Sequence, residues 1–390
     1  MATEQFYRRQ ELASQLSRQI LAFEVGSAAP SGVFLAAPRR TGKSTFLRED
    51  LRPQLVADGA YVIYVDLWAD READPGDVIV GVVRSALSQF DNIALKLAKR
   101  MGLTSFEKKG FSFSFDQVGL GNNISLSDAL AELSDELRKP IVLIVDEAQH
   151  AIVTDRGYDA LYALKAARDE LNSSAHFGLR IVATGSNRDK LAMLRNSRDQ
   201  AFFGAPLVTF PPLDLGFVEW FCGGVKLAAP LDPATVWPLF EKASFRPEIL
   251  GAAADELRYE FSLQAADVPT RFAEAVTNQI EAAEAQTLRV VNSLTPMQSA
   301  VLRVLAARRE EYAPFDTETM AAYAKVIKQI APQEKIKPDA SNVQQALLAL
   351  QDKQLVWKEK RGVYALEEVA LADILLAHGL LSPVPATQAS

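Results

Sequence analysis

The sequence predicts an α/β protein built on a parallel β-sheet, followed by a helical region and a small C-terminal domain. Three observations support this prediction. Five short runs are almost continuously apolar or β-branched, which is typical of strands buried on both faces of a parallel sheet. Segments with helical spacing separate these runs, and a long helical stretch follows the last of them. Near the C-terminus, three helical segments precede two short strand-like runs.

The length and composition of the chain indicate a globular protein of two or three domains. Its 390 residues exceed one compact domain, and its 48% hydrophobic and 23% charged residues are ordinary values. The net charge of −7 argues against a uniformly basic nucleic-acid-binding protein but allows a local basic patch. A single cysteine, Cys222, excludes an internal disulfide framework, and the scattered histidines disfavour a zinc site. Because we find no signal peptide and no apolar run of about 18 residues, we expect a cytoplasmic protein without a membrane span.

The predicted strands and helices alternate, as right-handed βαβ crossovers require. The strands are expected at residues 32–37, 61–67, 141–145, 179–184 and 207–210. The helices between them are expected at residues 44–57, 75–89, 126–138 and 158–171. We place this α/β core at residues 1–212. One segment departs from the alternation, because residues 110–119 alternate Phe with Ser or Asp and predict an inserted strand or hairpin of unknown role.

Two further domains are predicted after the core. Residues 213–289 read as a small helical bundle with Pro and Gly between its segments. Residues 290–370 contain three helical segments, then LVWKEK, a turn at Arg361-Gly362 and VYALE. Three helices followed by a two-stranded hairpin are typical of a winged helix. Residues 371–390 are expected to hold the end of a C-terminal helix and a disordered tail.

A candidate phosphate-binding loop lies between the first predicted strand and the helix after it. Phosphates need backbone N–H donors, a helix N-terminus and a cation. Gly42 lets the backbone approach the phosphates, Lys43 would bridge the β- and γ-phosphates, and the Ser44 hydroxyl would hold Mg²⁺. Ala37 replaces the usual first glycine, and a positive φ there would cost about 1 kcal/mol or more. The residues expected to contact the nucleotide are Pro38, Arg39, Arg40, Thr41, Gly42, Lys43, Ser44 and Thr45.

Two acidic residues end the third predicted strand, IVLIVDE. Carboxylates are seldom buried without a partner or a metal. Asp146 would hold Mg²⁺ through its water shell, and Glu147 would orient and polarise an attacking water. The alternative is that both acids only end a strand and cap a helix. The phosphate loop earlier in the chain favours the functional interpretation over this one, and over a chance Gly-Lys-Ser at a helix start.

A polar strand end and several arginines complete the candidate site. The fourth predicted strand ends in Gly-Ser-Asn-Arg, where Asn187, or as second choice Ser186, would hydrogen-bond the γ-phosphate and the attacking water. A plain loop explains these residues almost as well. Arg246, at a helix start, would reach the phosphates from the helical region. Arg195 and Arg198 are candidates for an arginine finger acting on a neighbouring subunit, although surface arginines are usually solvated.

Together these motifs resemble those of the AAA+ ATPases among the P-loop NTPases. The nearer likeness is to archaeal-type and origin-recognition-like ATPases, which join an AAA+ core, a helical lid and a C-terminal winged helix. The matching segments are APRRTGKS, IVLIVDEAQ, RIVATGSN, FRPE and LVWKEKRGVYAL. The resemblance implies a sheet order of 5-1-4-3-2, ATP bound between core and lid, and homo-oligomerisation. Ala205 stands where relatives often carry arginine, which weakens the case for a conventional finger there.

The predicted winged helix would bind duplex DNA or a protein. From Ser293 onward, 11 Lys and Arg residues balance 11 Asp and Glu residues, so the domain is neutral by this count. Its third helix offers amides but no cation before Lys353. The hairpin supplies Lys358, Lys360 and Arg361 for contacts with DNA phosphates. The competing interpretation is a winged helix that packs on its own ATPase core or on a protein partner.

Two functions therefore remain open from the sequence. The first is a Mg²⁺-dependent ATPase, slow without a partner, that couples ATP binding and hydrolysis to conformational change and DNA engagement. The second is an ATP/ADP-gated signalling or defence switch that acts on a protein partner. Both use the same site, so the motifs do not separate them. A nucleotide-binding protein that does not hydrolyse ATP is disfavoured by Glu147.

Overall fold

The computed structural model describes residues 6–22, 28–70, 72–90, 125–173, 176–195, 201–360, 362–368 and 370–381. Contacts within the chain divide it into two compact units. The first consists of Met1–Val225 and Pro230–Glu248, and the second of Lys226–Ala229 and Ile249–Ser390. The insertion predicted at residues 110–119 lies outside the described residues, as does the end of the predicted tail.

A five-stranded sheet forms the centre of the first unit. Its strands are β1 (Val33–Ala36), β2 (Tyr61–Asp66), β3 (Ile141–Asp146), β4 (Leu179–Gly185) and β5 (Leu207–Thr209). Each begins and ends within one residue of its predicted bounds. Neighbouring strands are parallel, and their order is β2-β3-β4-β1-β5. This is the predicted order 5-1-4-3-2 read from the other edge, so the predicted topology is confirmed.

Helices cover the sheet and extend the first unit. They are α1 (Gln10–Leu21), α2 (Lys43–Phe46), α3 (Arg52–Ala57), α4 (Pro75–Ser88), α5 (Leu126–Leu137), α6 (Asp155–Ser173), α7 (Arg188–Met193), α8 (Leu215–Gly224) and α9 (Pro233–Lys242). A π-helical turn, Leu47–Leu51, joins α2 to α3. The predicted helix at residues 44–57 is therefore present, with a wider turn in its middle.

Burial on both faces of the sheet explains the near-continuous apolar strands. Every residue of β3 is buried. Ile141, Leu143 and Val145 belong to an apolar cluster that includes residues of α4, α5 and α6. Val142 and Ile144 belong to a second cluster that includes residues of α1 and α3. Because successive side chains of a strand point to opposite faces, both faces of β3 need apolar cover.

One helix, α10 (Pro247–Arg258), begins in the first unit and continues into the second. The second unit also contains α11 (Val268–Asn292), α12 (Pro296–Arg308), α13 (Thr317–Ile330), α14 (Ala340–Asp352) and α15 (Ala370–Ala377). Its two antiparallel strands are β6 (Val356–Lys360) and β7 (Val363–Leu366). Helices α12 to α14 followed by this hairpin reproduce the element order that the sequence predicts for residues 290–370.

A separate apolar core supports the second unit. Helix α14 contributes Val343, Leu347 and Leu350, which are fully buried and lie on one face of the helix. The hydroxyl of Tyr323 lies 2.6 Å from the hydroxyl of Tyr312, so the two polar groups satisfy each other inside this core. The second unit therefore has its own cluster of buried residues, distinct from the two that flank the parallel sheet.

The stretch predicted as a helical lid, residues 213–289, is shared between the two units. Helices α8 and α9 belong to the first unit, and α11 belongs to the second. Helix α10 crosses the boundary after Glu248. The lid as a domain of its own therefore stays a prediction. Within the described residues, no helix combines the length and apolar character needed to cross a membrane.

We predict that Leu143→Ala lowers the free energy of unfolding by about 2–5 kcal/mol, because it leaves a cavity beside β3, an interior strand of a sheet that is covered on both faces. Leu143 is 0% exposed. The matched control is Val56→Ala at a position that is 51% exposed, where a change within about 0.5 kcal/mol is expected. Urea denaturation of both variants measures the difference, and equal losses would contradict the assignment of Leu143 to the core.

Candidate active site

The phosphate loop runs from Ala37 to Gly42 and leads directly into α2. The positive φ values fall on Arg40 (63°) and Gly42 (81°) and not on Ala37, so the strain considered for an alanine at that position does not arise. A Cβ on Gly42 would meet only Leu213, at 3.8 Å, so its φ and not a lack of space requires glycine. The hydroxyl of Thr41 donates to the Pro38 carbonyl over 2.8 Å and closes the loop.

Lys43 lies between the two acids that end β3. Its Nζ is 2.5 Å from Glu147 Oε1 and 3.1 Å from Asp146 Oδ1. The lysine is 5% exposed and Asp146 is 1% exposed, so the three charged groups are largely removed from water. One ammonium and two carboxylates leave a net charge of −1, which favours a further cation nearby. The structure thus brings together residues from two separate segments of the sequence.

Hydroxyl and amide donors hold Asp146 in place. Tyr64 donates to Oδ2 over 2.8 Å, and Thr184 donates to Oδ1. These residues lie on β2 and β4, the two strands that flank β3. The backbone N–H of Glu147 also donates to Oδ1, over 3.1 Å. No sequence pattern singles out Tyr64 or Thr184, because their proximity depends on the order of the strands.

The surroundings of Asp146 fit a hydrated Mg²⁺ ion. The Ser44 hydroxyl hydrogen-bonds the Asp146 carboxylate, so the two side chains predicted as metal contacts lie together. Among the described residues, no group of three or more His, Cys, Asp or Glu side chains could hold a metal. Mg²⁺ prefers one or two protein oxygens, several waters and substrate phosphates, and Ser44 and Asp146 would supply the protein oxygens.

The pKa values of both acids are lowered in spite of burial. For Asp146, burial raises the pKa, but the charge of Lys43 and the hydrogen bonds from three hydroxyls outweigh it. For Glu147, burial raises the pKa, but Lys43 and hydrogen bonds from Gln149 and Ser186 outweigh it. Both carboxylates are therefore charged at neutral pH.

Glu147 is fixed by its backbone and by two donors. Its φ is 56°, which is the left-handed region and unusual for a residue other than glycine. Its Oε2 accepts from Gln149 Nε2 over 2.5 Å and from Ser186 Oγ over 3.0 Å. Uncommon backbone conformations of this kind persist only where the surrounding contacts determine them. The carboxylate direction is thus set before any substrate arrives.

Gln149 supports Glu147 from a buried position. It lies in the short 3₁₀ helix Ala148–Val153, is 3% exposed, and also donates to Ser186 Oγ over 3.3 Å. A Cβ at Gly185 would lie 2.5 Å from Gln149 Oε1, so the last residue of β4 must be glycine while Gln149 holds this place. Sequence reasoning assigns Gln149 no role, and its only signal is an amide two residues after the strand-end glutamate.

The two residues considered after β4 have different positions. Asn187 caps α7, because its Oδ1 accepts from the backbone N–H groups of Asp189 and Lys190 over 3.0 Å each. Ser186 instead points its hydroxyl at Glu147. The residue that contacts the proposed catalytic carboxylate is therefore Ser186, the second choice from the sequence, whereas the Asn187 oxygen serves the helix terminus.

Arg246 is connected to the phosphate loop through one carboxylate. Its Nε donates to Glu248 Oε1 over 2.8 Å, and Arg40 Nη1 lies 3.9 Å from the same oxygen. Ser244 and Phe245, directly before it, both have positive φ values, of 55° and 56°. Glu248 therefore contacts both Arg246 and Arg40, and so links Arg246 to the loop that would hold the phosphates.

Of the two candidate finger residues, the structure describes only Arg195. Arg195 Nε donates to the backbone carbonyl of Ala205. Arg198 lies outside the described residues. Neither observation assigns either residue to a neighbouring subunit, so the finger stays a prediction.

The predicted DNA contacts lie at the hairpin of the second unit. Lys358 is exposed on β6. Lys360 ends β6, and its side chain is outside the described part of the structure, as is the whole of Arg361. The exposed residues of α14 include Asn342, Gln345 and Leu348, which carry no charge.

Comparison with solved structures identifies the fold. No family model matches the chain, and no curated protein matches it. A Walker-type ATPase of Pyrococcus abyssi matches with a TM-score of 0.53 and 18% identity, over 96% of this chain and 97% of that chain. The ORC2 protein of Aeropyrum pernix in its ADP form matches with a TM-score of 0.57 and 15% identity, over 96% and 95%. The ADPNP–ADP complexes of that protein match with a TM-score of 0.55 and 16% identity, over 97% of each chain. The predicted P-loop AAA+ fold is confirmed.

We predict that Lys43→Ala destabilises the nucleotide-free protein by on the order of 3 kcal/mol at about pH 7, because it leaves two buried carboxylates without their counter-charge. The destabilisation caused by Lys43→Ala should be smaller at about pH 4. With Lys43 present, both pKa values are lowered, so the stability that they contribute exists above their ordinary pKa and is lost as the pH falls. Without Lys43, both pKa values are higher than in the wild type, because the charge that opposes burial is gone, so acid costs the variant less stability than it costs the wild type.

Denaturation at the two pH values measures this effect. Lys242→Ala, at an exposed lysine in the last turn of α9, is the matched control. A penalty for Lys43→Ala that stays constant with pH would contradict the ion cluster.

Proposed function

We propose that this protein is a Mg²⁺-dependent ATPase that binds ATP at the phosphate loop and uses Glu147 to polarise the attacking water. The observation that carries the proposal is the Lys43 ammonium, held between Asp146 and Glu147 at the start of the helix after the loop. A cation, a metal-binding carboxylate and a water-orienting carboxylate are the groups that phosphoryl transfer to water requires. The fold shared with a Walker-type ATPase supports the same conclusion.

ATP binding would use residues 38–45, which comprise most of the phosphate loop and the first residues of α2, Lys43 among them. The loop leads into a helix N-terminus, whose free N–H groups and partial positive charge suit phosphate oxygens. Ser44 and Asp146 would hold Mg²⁺, which supplies positive charge to the β- and γ-phosphates. The structural neighbour ORC2 was solved with ADP and with ADPNP, which supports a nucleotide in the corresponding place here.

Phosphate binding would change the partners of Lys43. In the structure, Lys43 Nζ is 2.5 Å from Glu147 Oε1, so the proposed water-orienting group is neutralised by the proposed phosphate-binding group. Anionic phosphates would offer Lys43 other partners and leave Glu147 to the donors Gln149 and Ser186. Losing the nearby positive charge raises the pKa of a carboxylate and makes it a better proton acceptor. The site thus becomes competent when phosphate is present.

We predict that Lys43→Ala and Glu147→Gln each lower the Mg²⁺-dependent turnover of ATP by on the order of a hundred-fold or more. Lys43→Ala should also weaken ATP binding, whereas Glu147→Gln should still bind ATP. Phosphate release and fluorescent-nucleotide titration measure the two properties, with Glu241→Gln at an exposed glutamate of α9 as control. A wild-type protein that binds ATP but shows no turnover with DNA or protein partners would overturn the proposal.

We further propose that ATP turnover is coupled to duplex DNA through the winged helix predicted at residues 290–370. The order of α12 to α14 followed by β6 and β7 supports a DNA-binding module, and Lys358 lies exposed beside the hairpin turn. Lys360 and Arg361 would bind further phosphates of the duplex.

A protein partner is the alternative. The exposed residues of α14 before its last residue, Asp352, are uncharged and include Leu348, which is 51% exposed. A neutral face with an exposed leucine suits a protein surface better than a phosphate backbone. In that case ATP binding and hydrolysis would gate a signalling or defence interaction.

We predict that changing Lys358, Lys360 and Arg361 together to Ala reduces DNA binding and lowers the slope of log K against log salt by about 0.9 for each phosphate that the variant no longer neutralises. The charge-matched control changes Arg289, Lys325 and Lys328 of the same unit, which are exposed on α11 and α13. Fluorescence anisotropy with a labelled duplex at several salt concentrations measures the slopes. Unchanged binding in the hairpin variant would favour the protein partner.

A further inference from the structure

The phosphate loop carries two adjacent arginines that point to different partners. Arg40 Nη1 lies 3.9 Å from Glu248, on the side of Arg246. Arg39 Nε lies within 3.5 Å of the Ser186 hydroxyl, on the side of Glu147. Arg40 is therefore paired with an acid, while Arg39 is directed towards the group proposed to orient the attacking water.

An aromatic stack holds Arg39 in this direction. Its guanidinium lies 5.2 Å from the ring centre of Trp68, and Trp68 lies 4.5 Å from the ring of His150. Trp68 follows β2, and His150 belongs to the 3₁₀ helix that begins after Glu147. A planar guanidinium stacked on an indole loses less freedom when it binds an anion than a lysine would. The stack thus joins the loop to the segment that carries Glu147.

The surroundings of Arg39 leave its charge available. Among the described residues, no carboxylate forms an ion pair with Arg39, whereas Arg40 and Arg246 share Glu248. Arg39 is also exposed, so its guanidinium is accessible from solvent. Arg195, a candidate finger, instead donates to the carbonyl of Ala205. The loop itself therefore offers an arginine that lies near Glu147 and has no acidic partner in the described part of the chain.

We infer that Arg39 is a catalytic residue that acts in cis: its guanidinium contacts the γ-phosphate of ATP bound to the same chain. This inference rests on the proposed ATPase. In the reaction, the water oxygen bonds to the γ-phosphorus while the bond from that phosphorus to the bridging oxygen breaks, and ADP leaves with the electron pair. The proton that the water gives to Glu147 returns to the released phosphate. Arg39 stabilises the negative charge on the phosphoryl oxygens as these bonds change.

Substitution of Arg39 tests its role at the phosphoryl group. Arg39→Ala should lower kcat for ATP by on the order of a hundred-fold, with only a few-fold change in the affinity for ATP. Arg39→Lys should recover part of kcat, because it keeps the charge but loses the fork and the stacking. Trp68→Leu should have a smaller effect on kcat, since it removes only the support. Arg156→Ala, at an exposed arginine of α6 that pairs with Asp77, is the matched control.

A mixing experiment distinguishes action in cis from action on a neighbour. The Lys43→Ala variant lacks a working phosphate site but keeps the Arg39 guanidinium. The Arg39→Ala variant keeps Lys43 but lacks that guanidinium. If Arg39 acts in cis, a mixture of the two variants should show no more ATP turnover than the sum of the turnovers of the separate variants. Restored turnover in the mixture would overturn the inference in favour of a finger supplied in trans.

Two other results would also overturn it. One is an unchanged kcat in Arg39→Ala, and the other is a loss of ATP affinity with kcat retained, which would make Arg39 a binding residue only. Thermal unfolding of Arg39→Ala and Arg39→Lys shows whether both variants fold. Failure of the proposed function is distinguishable, because wild type itself would then lack turnover.

Discussion

The buried ion cluster of Lys43, Asp146 and Glu147 is the interaction on which the rest of the candidate site depends. Its positive charge comes from the first residue of α2, and its two negative charges come from the last residue of β3 and the residue after it. Burial of either the ammonium or the carboxylates without the other would be costly. The cluster also accounts for the lowered pKa values of both carboxylates. The Lys43 ammonium that stabilises the two buried carboxylates is therefore the same group for which a substrate phosphate would compete.

The parallel sheet makes this cluster geometrically achievable. All its strands end at the same edge, and the order β2-β3-β4-β1-β5 puts β3 and β1 on either side of β4. Residues at three strand ends can then converge: Tyr64 and Thr184 on Asp146, and Ser186 on Glu147. The convergence agrees with the general placement of ligand sites beyond the carboxyl ends of strands in open α/β sheets.

The sequence predicts the strands and the motif residues of this site better than the contacts that support them. Strand bounds are predictable because burial on both faces leaves a continuous apolar signature, as in β3. Lys43 and Glu147 are predictable because their chemistry is tied to a motif. Gln149 and Thr184 are not, since their roles depend on which strands are neighbours. The difference between Ser186 and Asn187 also needs coordinates, because one residue turns towards Glu147 and the other caps a helix.

The close approach of Gln149 to the bare backbone of Gly185 has an evolutionary consequence. Because a Cβ at position 185 would lie 2.5 Å from the glutamine oxygen, the two positions are not free to vary independently. A lineage that shortens the glutamine first opens space for alanine at 185, whereas the reverse order requires the amide that donates to Glu147 to move. Among homologues, a side chain at 185 is therefore expected more often where the residue at 149 is small.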